Sequence, residues 1–340
     1  MERGMTRIRK LVVCFSLLLV AGAVLVVSKT QANADSDVST SSSVLYASFD
    51  GNSSFVSNLG NSNQNPGDKE ELYLSPNRKL IAVTLDPIDA ETGSYTYITD
   101  LAGNQITTSH YGDFDAWAPD SSKVLLYVSP MDGPWIREIY ALDMQNNYYN
   151  FGLPDGTISA DISPVDGSIV YSLTGGGTDN SSIYIRDPKG GDKLLLQGDQ
   201  NIFAWVRWSP TGDQIAFLKS PLYTSLDEGE AWIMNSNGAV SKKISDVIWN
   251  YPAIWSSDGT ELMFANAGNI FEYETIQQIL KNVTNFSGNI PVQHPSYSSD
   301  GKIIIFSSGN SGSQQIWSVE DGSVNQVTYN NQQNDYPILP

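Results

Sequence analysis

Side chains able to do chemistry are few in kind here. The chain of 340 residues holds two histidines, His110 and His294, a single cysteine, Cys14, and 37 Asp and Glu residues. Zinc-type hydrolysis needs imidazoles at fixed helical spacing, and neither H-x-x-x-H nor H-E-x-x-H occurs. Attack by an activated serine needs a sharp G-x-S-x-G turn, which is absent. Asp258-Gly259 and Asp300-Gly301 are adjacent pairs, so neither fits the Asp box S-x-D-x-G-x-x-W, which puts a residue between the two. There is no D-x-[DN]-x-[DN]-G calcium loop, and Gly175-Gly176-Gly177 lacks the Lys-Ser/Thr that lets a glycine loop hold phosphate. No metal and no cofactor are expected. Composition still permits two-carboxylate acid–base chemistry, which asks only for Asp or Glu in a shared cleft.

The elements that would position such residues repeat. The phrases "LYLSPNRKLIAV" (72–83), "AWAPDSSKVLLYV" (116–128), "DISPVDGSIVYS" (161–172), "RWSPTGDQIAFL" (207–218), "IWSSDGTELMFA" (254–265) and "SYSSDGKIIIFS" (296–307) align on Pro76, Pro119, Pro164, Pro210, Ser257 and Ser299, at intervals of 43, 45, 46, 47 and 42 residues. Each reads as a β-hairpin. Proline presets the turn, the preceding serine accepts a backbone N–H, and Gly167, Gly212, Gly259 and Gly301 take the left-handed position. The second strand is almost continuously apolar, as in Ile303-Ile304-Ile305-Phe306, which predicts burial on both faces. A further strand such as "SIYIRDPKG" (182–190) and a short fourth complete each unit. Four-stranded antiparallel sheets repeated at this period predict an all-β propeller. "VLYASFDGN" (44–52) copies only the third strand, and "YPILP" (336–340) only the start of the first. Together they predict a composite closing blade, seven in all, with a six-bladed ring as the alternative.

The Ser-Pro-Asp-Gly hairpin followed by an Ile-Tyr strand resembles the TolB-like propeller repeat, also found in propeller domains of prolyl-oligopeptidase-type proteins. The resemblance covers nearly all of residues 44–340 and implies a propeller that serves as a binding scaffold at least as often as an enzyme. Ala118-Pro119-Asp120-Ser121 and Ser75-Pro76-Asn77-Arg78 depart from it by lacking the glycine. No residues follow the propeller to supply a hydrolase domain. Propeller-fold pectic lyases resembling this repeat use a histidine-rich metal site, which two isolated histidines do not supply.

Against that register, Asp161 and Arg207 stand out. They lie two positions before the turn serine in adjacent units, where other units carry Ala116, Ile254 and Ser296, and they are expected to meet as an ion pair near the central channel. Trp117, Trp208, Trp255 and Tyr297 recur next to the turn and are expected to pack between blades. Alternating strand direction gathers the long, variable loops on one face, and their His110, Tyr111, Trp135, Arg137, Tyr223, Trp249, Tyr251 and His294 are the expected binding residues.

Residues 1–34 are of another kind: Arg3, Arg7, Arg9 and Lys10 precede an apolar run over 11–27 and a small-x-small site, Ala32-Asn33-Ala34. This predicts a signal peptide or, uncleaved, a membrane anchor over residues 11–27. Residues 35–43 read as a Ser-rich linker and 44–340 as the propeller domain. Loss of 1–34 removes five bases and one acid, leaving 14 Lys and Arg against 36 Asp and Glu, a net charge of −22. Nucleic acid is thereby excluded as a partner, and a membrane too except through the leader. Without Cys14 no disulfide can form. The sequence therefore predicts an exported, monomeric, non-catalytic propeller binding a protein or glycan, with a carbohydrate-active enzyme using funnel acids as the alternative.

Overall fold

The computed structural model describes residues 23–24, 44–49, 58–59, 69–86, 93–129, 137–174, 181–198, 200–221, 229–239, 241–246, 252–288, 290–329 and 331–340. Six antiparallel four-stranded sheets follow one another along the chain, each with its strands, A to D, in sequential order. The A strands are Lys69–Leu74, Asp113–Trp117, Thr157–Ile162, Asn201–Trp208, Ile254–Trp255 and Val292–Tyr297, in blades 1 to 6. The D strands, His110–Tyr111 in blade 1 and Ser323–Gln326 in blade 6 among them, are the outer edges.

The turn chemistry is as the sequence requires. The hydroxyls of Ser75, Ser209, Ser256 and Ser298 each accept the N–H of the residue five positions on. Gly167, Gly212, Gly259 and Gly301 lie at φ 72–74°. Blades 1 and 2 reach the same geometry without glycine, through Arg78 at φ 58° and Ser121 at φ 60°, at a cost of about 1–2 kcal/mol each.

Between blades the core is built as predicted. Trp117 packs with Ala82 and Ile98 of blade 1, Trp208 with Val170 and Ile183 of blade 3, and Tyr297 with Met263 and Ile270 of blade 5. Two indoles also bond to the preceding blade: Trp117 Nε1 to the Tyr73 carbonyl at 2.9 Å and Trp255 Nε1 to the Arg207 carbonyl at 3.3 Å.

The ends of the chain do pair, Leu45–Phe49 antiparallel to Gln333–Ile338, but as a two-stranded sheet. Seven blades are thus corrected to the alternative, six complete blades, with this sheet completing the ring. The N-terminal strand lies directly against the inner strand, in the place of a B strand and not of the C strand it resembles. Leu45, Tyr46, Ala47 and Ser48 are all buried. Its two interfaces differ in kind. Toward blade 1, Leu45, Ala47 and Ile338 join Leu72, Ile81, Val83 and Tyr97 in one apolar cluster. Toward blade 6, Asn334, fully buried, donates to Gln315 Oε1 and Thr328 Oγ1 at 3.1 Å each.

Candidate functional site

The A strands bring charged and aromatic side chains from non-adjacent parts of the sequence together at the ring's inner edge. Five inner strands are bulged: the register slips between Phe114 and Ala116, between Thr157 and Ser159, between Ala204 and Arg207, between Gln293 and Ser296, and, in the closing strand, opposite Leu45 and Ala47. Trp205, His294 and Tyr336 at these bulges have φ of 49°, 48° and 47°. A left-handed conformation in bulky residues is unfavourable, and strain of this sort concentrates where side chains must be re-aimed.

Around the closing strand, His294 stacks on Tyr336 with ring centroids 3.5 Å apart, and Tyr336 meets Tyr73 edge-on at 6.0 Å. Tyr73 in turn stacks on Phe114 at 4.0 Å. Four inner strands therefore contribute one continuous aromatic arc. Its acids are engaged: Glu71 accepts from the hydroxyls of Tyr73, at 2.6 Å, and Tyr336. Burial pushes the Glu71 carboxyl up, and these hydroxyls only partly oppose it. Asp335 Oδ1 accepts from His294 Nδ1 at 2.6 Å, Ser307 Oγ at 2.5 Å and its neighbour Tyr336 N–H at 2.8 Å. Burial there acts to raise the carboxyl, but His294 and these bonds win and hold Asp335 below the ordinary range. Arg78 ties the closure from outside, donating to the carbonyls of Tyr297 in blade 6 and Leu339.

A second cluster joins blades 2, 3 and 4. Asp161 and Arg207 lie in neighbouring strands, as the register predicts, but the direct ion pair of Arg207 is with Asp115, at 3.0 Å. Arg207 reaches across blade 3 to do this, donating on the way to Ser159 Oγ at 3.2 Å. Asp115 Oδ2 accepts the Ala160 N–H at 2.7 Å. The Asp161 carboxylate instead accepts two backbone amides, its neighbour Ile162 at 2.9 Å and Trp208 of blade 4 at 2.8 Å. Burial pushes Asp161 up to about 7, with Arg207 opposing.

The expected loop-face residues divide. Trp135, Tyr223, Trp249 and Tyr251 lie outside the described residues. His110 is on the outer D strand of blade 1, stacked on Tyr148 at 4.7 Å with Nε2 3.0 Å from Asn146 Oδ1. Tyr111 donates to the Ser129 carbonyl at 2.6 Å, and Arg137 lies over the Tyr127 ring at 5.2 Å. His294 is an inner-strand residue, not a loop one. Glu71, Tyr73, Phe114, Asp115, Asp335 and Tyr336 were not singled out by sequence. The available signal was the charged pair in Asp113-Phe114-Asp115 and Arg78 standing where glycine is usual. Among the described residues no group of three or more His, Cys, Asp or Glu could hold a metal ion.

No family model matches the chain, and no curated protein sequence does. Solved structures do. TolB from Acinetobacter baumannii is similar at 15% identity and TM-score 0.53, over 79% of this chain and 65% of that one. An oligogalacturonate lyase in complex with manganese matches at 14% identity and TM-score 0.55, over 77% of each chain. The propeller domain of the Trilobed protease from Pyrococcus furiosus, described as having an open velcro topology, matches at 17% identity and TM-score 0.54, over 78% of this chain and 85% of that one. This chain thus spans about two thirds of the TolB it resembles. At these identities the likeness establishes the β-propeller fold, shared with TolB among others, and nothing finer.

Proposed function

We propose that this protein is an exported, non-catalytic propeller that binds a protein or glycan partner through its loop-rich face. One observation carries the reading. The inner-strand carboxylates Glu71, Asp115 and Asp335 are each engaged by internal donors. A general acid or base must instead face the reacting atom with its proton exchangeable there. Export rests on the basic segment, the apolar run and Ala32-Asn33-Ala34. A second reading, a carbohydrate-active enzyme, is favoured by the likeness in fold to oligogalacturonate lyases.

The decisive experiment captures partners from the native envelope and from a glycan array with the parent and with a Trp135→Ala, Trp249→Ala double variant. The variant is expected to lose on the order of 1–3 kcal/mol of binding, roughly 5- to 150-fold, with its melting unchanged. Binding retained in full would remove the loop-rich face from consideration. Turnover of a polysaccharide panel that disappears on changing one inner-strand acid would replace the scaffold reading with the enzyme.

A further inference from the structure

Three of the six blades carry a tryptophan immediately before the turn, and one of the three departs from the other two. In blades 2 and 5 the tryptophan before the turn donates its indole N–H to the preceding blade, at the carbonyl two residues before that blade's turn: Trp117 to Tyr73 and Trp255 to Arg207. In blade 4 the donor's place is Trp208 and the acceptor's place is Asp161. Yet Trp208 Nε1 is buried and has no hydrogen-bond partner among the described residues. The joint is made instead by the Asp161 carboxylate, which takes the Trp208 backbone N–H at 2.8 Å. An orphaned buried N–H is unfavourable. It persists here because an ionised carboxylate is a strong acceptor and holds the Trp208 backbone in this seating.

We propose that the joint between blades 3 and 4 is a proton-controlled switch with two settings. With Asp161 ionised, its carboxylate holds the Trp208 amide. With Asp161 protonated, the Trp208 indole moves onto the Asp161 carbonyl and makes the bond its counterparts make. The proton comes from solvent and rests on the Asp161 carboxyl. A neutral carboxyl is a weaker acceptor, so the unmet indole then decides the seating. The charged groups facing Asp161 are Arg207 from blade 4, which favours ionisation, and Asp115 from blade 2, which opposes it. The hydrogen bonds of Arg207 go to Asp115, Ser159 and the Val206 carbonyl, so Asp161 is not locked by a direct ion pair. Burial places its proton exchange in the neutral range. The switch has an outlet, since the carbonyl of Arg207 receives the Trp255 indole of blade 5 and the bulge at Trp205 lies two residues upstream. A shift of this strand therefore reaches both the next blade and the loop-rich end of the inner wall.

The test is indole N–H NMR on the full chain carrying 15N-labelled tryptophan, eight residues in all, with Trp208→Phe identifying the Trp208 signal. On acidification from about pH 9 to about pH 5, that signal is expected to move downfield as the indole gains its bond, with a midpoint near 7, in step with the protonation assigned to Asp161. In Asp161→Asn, neutral at every pH, it should sit at the low-pH position and not titrate. A Trp208 signal independent of pH in the parent overturns the proposal. So does one that titrates in Asp161→Asn as it does in the parent. Should Asp161→Asn fail to fold, the 13C carboxyl signal of Asp161 in the unaltered chain replaces it. Its midpoint must coincide with that of the Trp208 indole, and separate midpoints overturn the switch.

Discussion

Asp335 in the closing strand and Asp161 in blade 3 are both inner-strand carboxylates that hold a neighbouring blade, yet ionisation is favoured at one and resisted at the other. Asp335 has a histidine, a hydroxyl and an amide aimed at one oxygen, and His294 adds charge. Asp161 has two backbone amides, while the nearby guanidinium spends its donors on Asp115 and Ser159. Desolvation raises both carboxyls, so the number and charge of the donors decide the sign. Closure of the ring is thus an electrostatic lock, and the joint between blades 3 and 4 an electrostatic compromise.

The largest expected effect breaks the lock outright. Deleting residues 336–340 removes the buried Ile338 and Leu339, the Tyr336 bond to Glu71 and one acceptor of Arg78. With about 1.5–3 kcal/mol for each buried apolar side chain, the loss should be on the order of 5 kcal/mol, read as a lower melting temperature of the whole ring. An unchanged transition would show that closure contributes nothing.

Asp335→Ala comes next. It leaves His294 without its carboxylate and is expected to cost about 2–3 kcal/mol at neutral pH, below the full figure for a buried pair because Asp335 is partly exposed. Its value is depressed in the folded state, so the stability it contributes is present above about pH 4 and lost as pH falls through the folded value. Denaturation curves of parent and variant should therefore converge in acid.

Asp161→Asn should do the reverse. The raised value of Asp161 means its contribution is complete below about pH 4 and lost as pH rises through about 7. At pH about 8 the neutral variant is expected to be more stable by about 1–3 kcal/mol, and the gain should vanish in acid. A variant destabilised equally at all pH values would refute the contrast with Asp335.

The smallest effect compares two indoles. Trp117→Phe deletes a made hydrogen bond and Trp208→Phe an unmade one. At alkaline pH the first should cost about 1 kcal/mol more than the second, measured by urea denaturation.

Much of the fold was legible because hairpins are local. Ser-Pro-x-Gly turns, apolar B strands and their period need only the residues within each repeat, and pairing of the two ends followed from their resemblance to missing strands. Of the two blade counts the repeats allowed, six holds: the likeness of 44–52 to a C strand is a likeness of propensity, and its strand pairs directly with the closing inner strand in a two-stranded sheet. The site was legible in register and not in partner. Asp161 and Arg207 were visible as charges among apolar residues, but Asp115 lies one position off the repeat alignment, and the phrase gives no sign that Arg207 passes over blade 3 to reach it.

The amino-acid sequence by itself thus determined six hairpin-built sheets, which tryptophans lie between them, an acidic charge and the absence of motifs for metal or serine chemistry. Those properties follow from backbone conformation, burial and composition, which act over a few residues or over the whole chain. Tertiary structure alone decided that His110 is an outer-edge residue and His294 an inner one, that Asp335 is held ionised while Asp161 resists ionisation, and that one tryptophan of the series lacks its bond. The reason is physical. A carboxyl or an imidazole takes its character from desolvation and from donors within a few ångströms, and in this ring some of those donors come from strands 41, 47 and 92 residues away in the sequence.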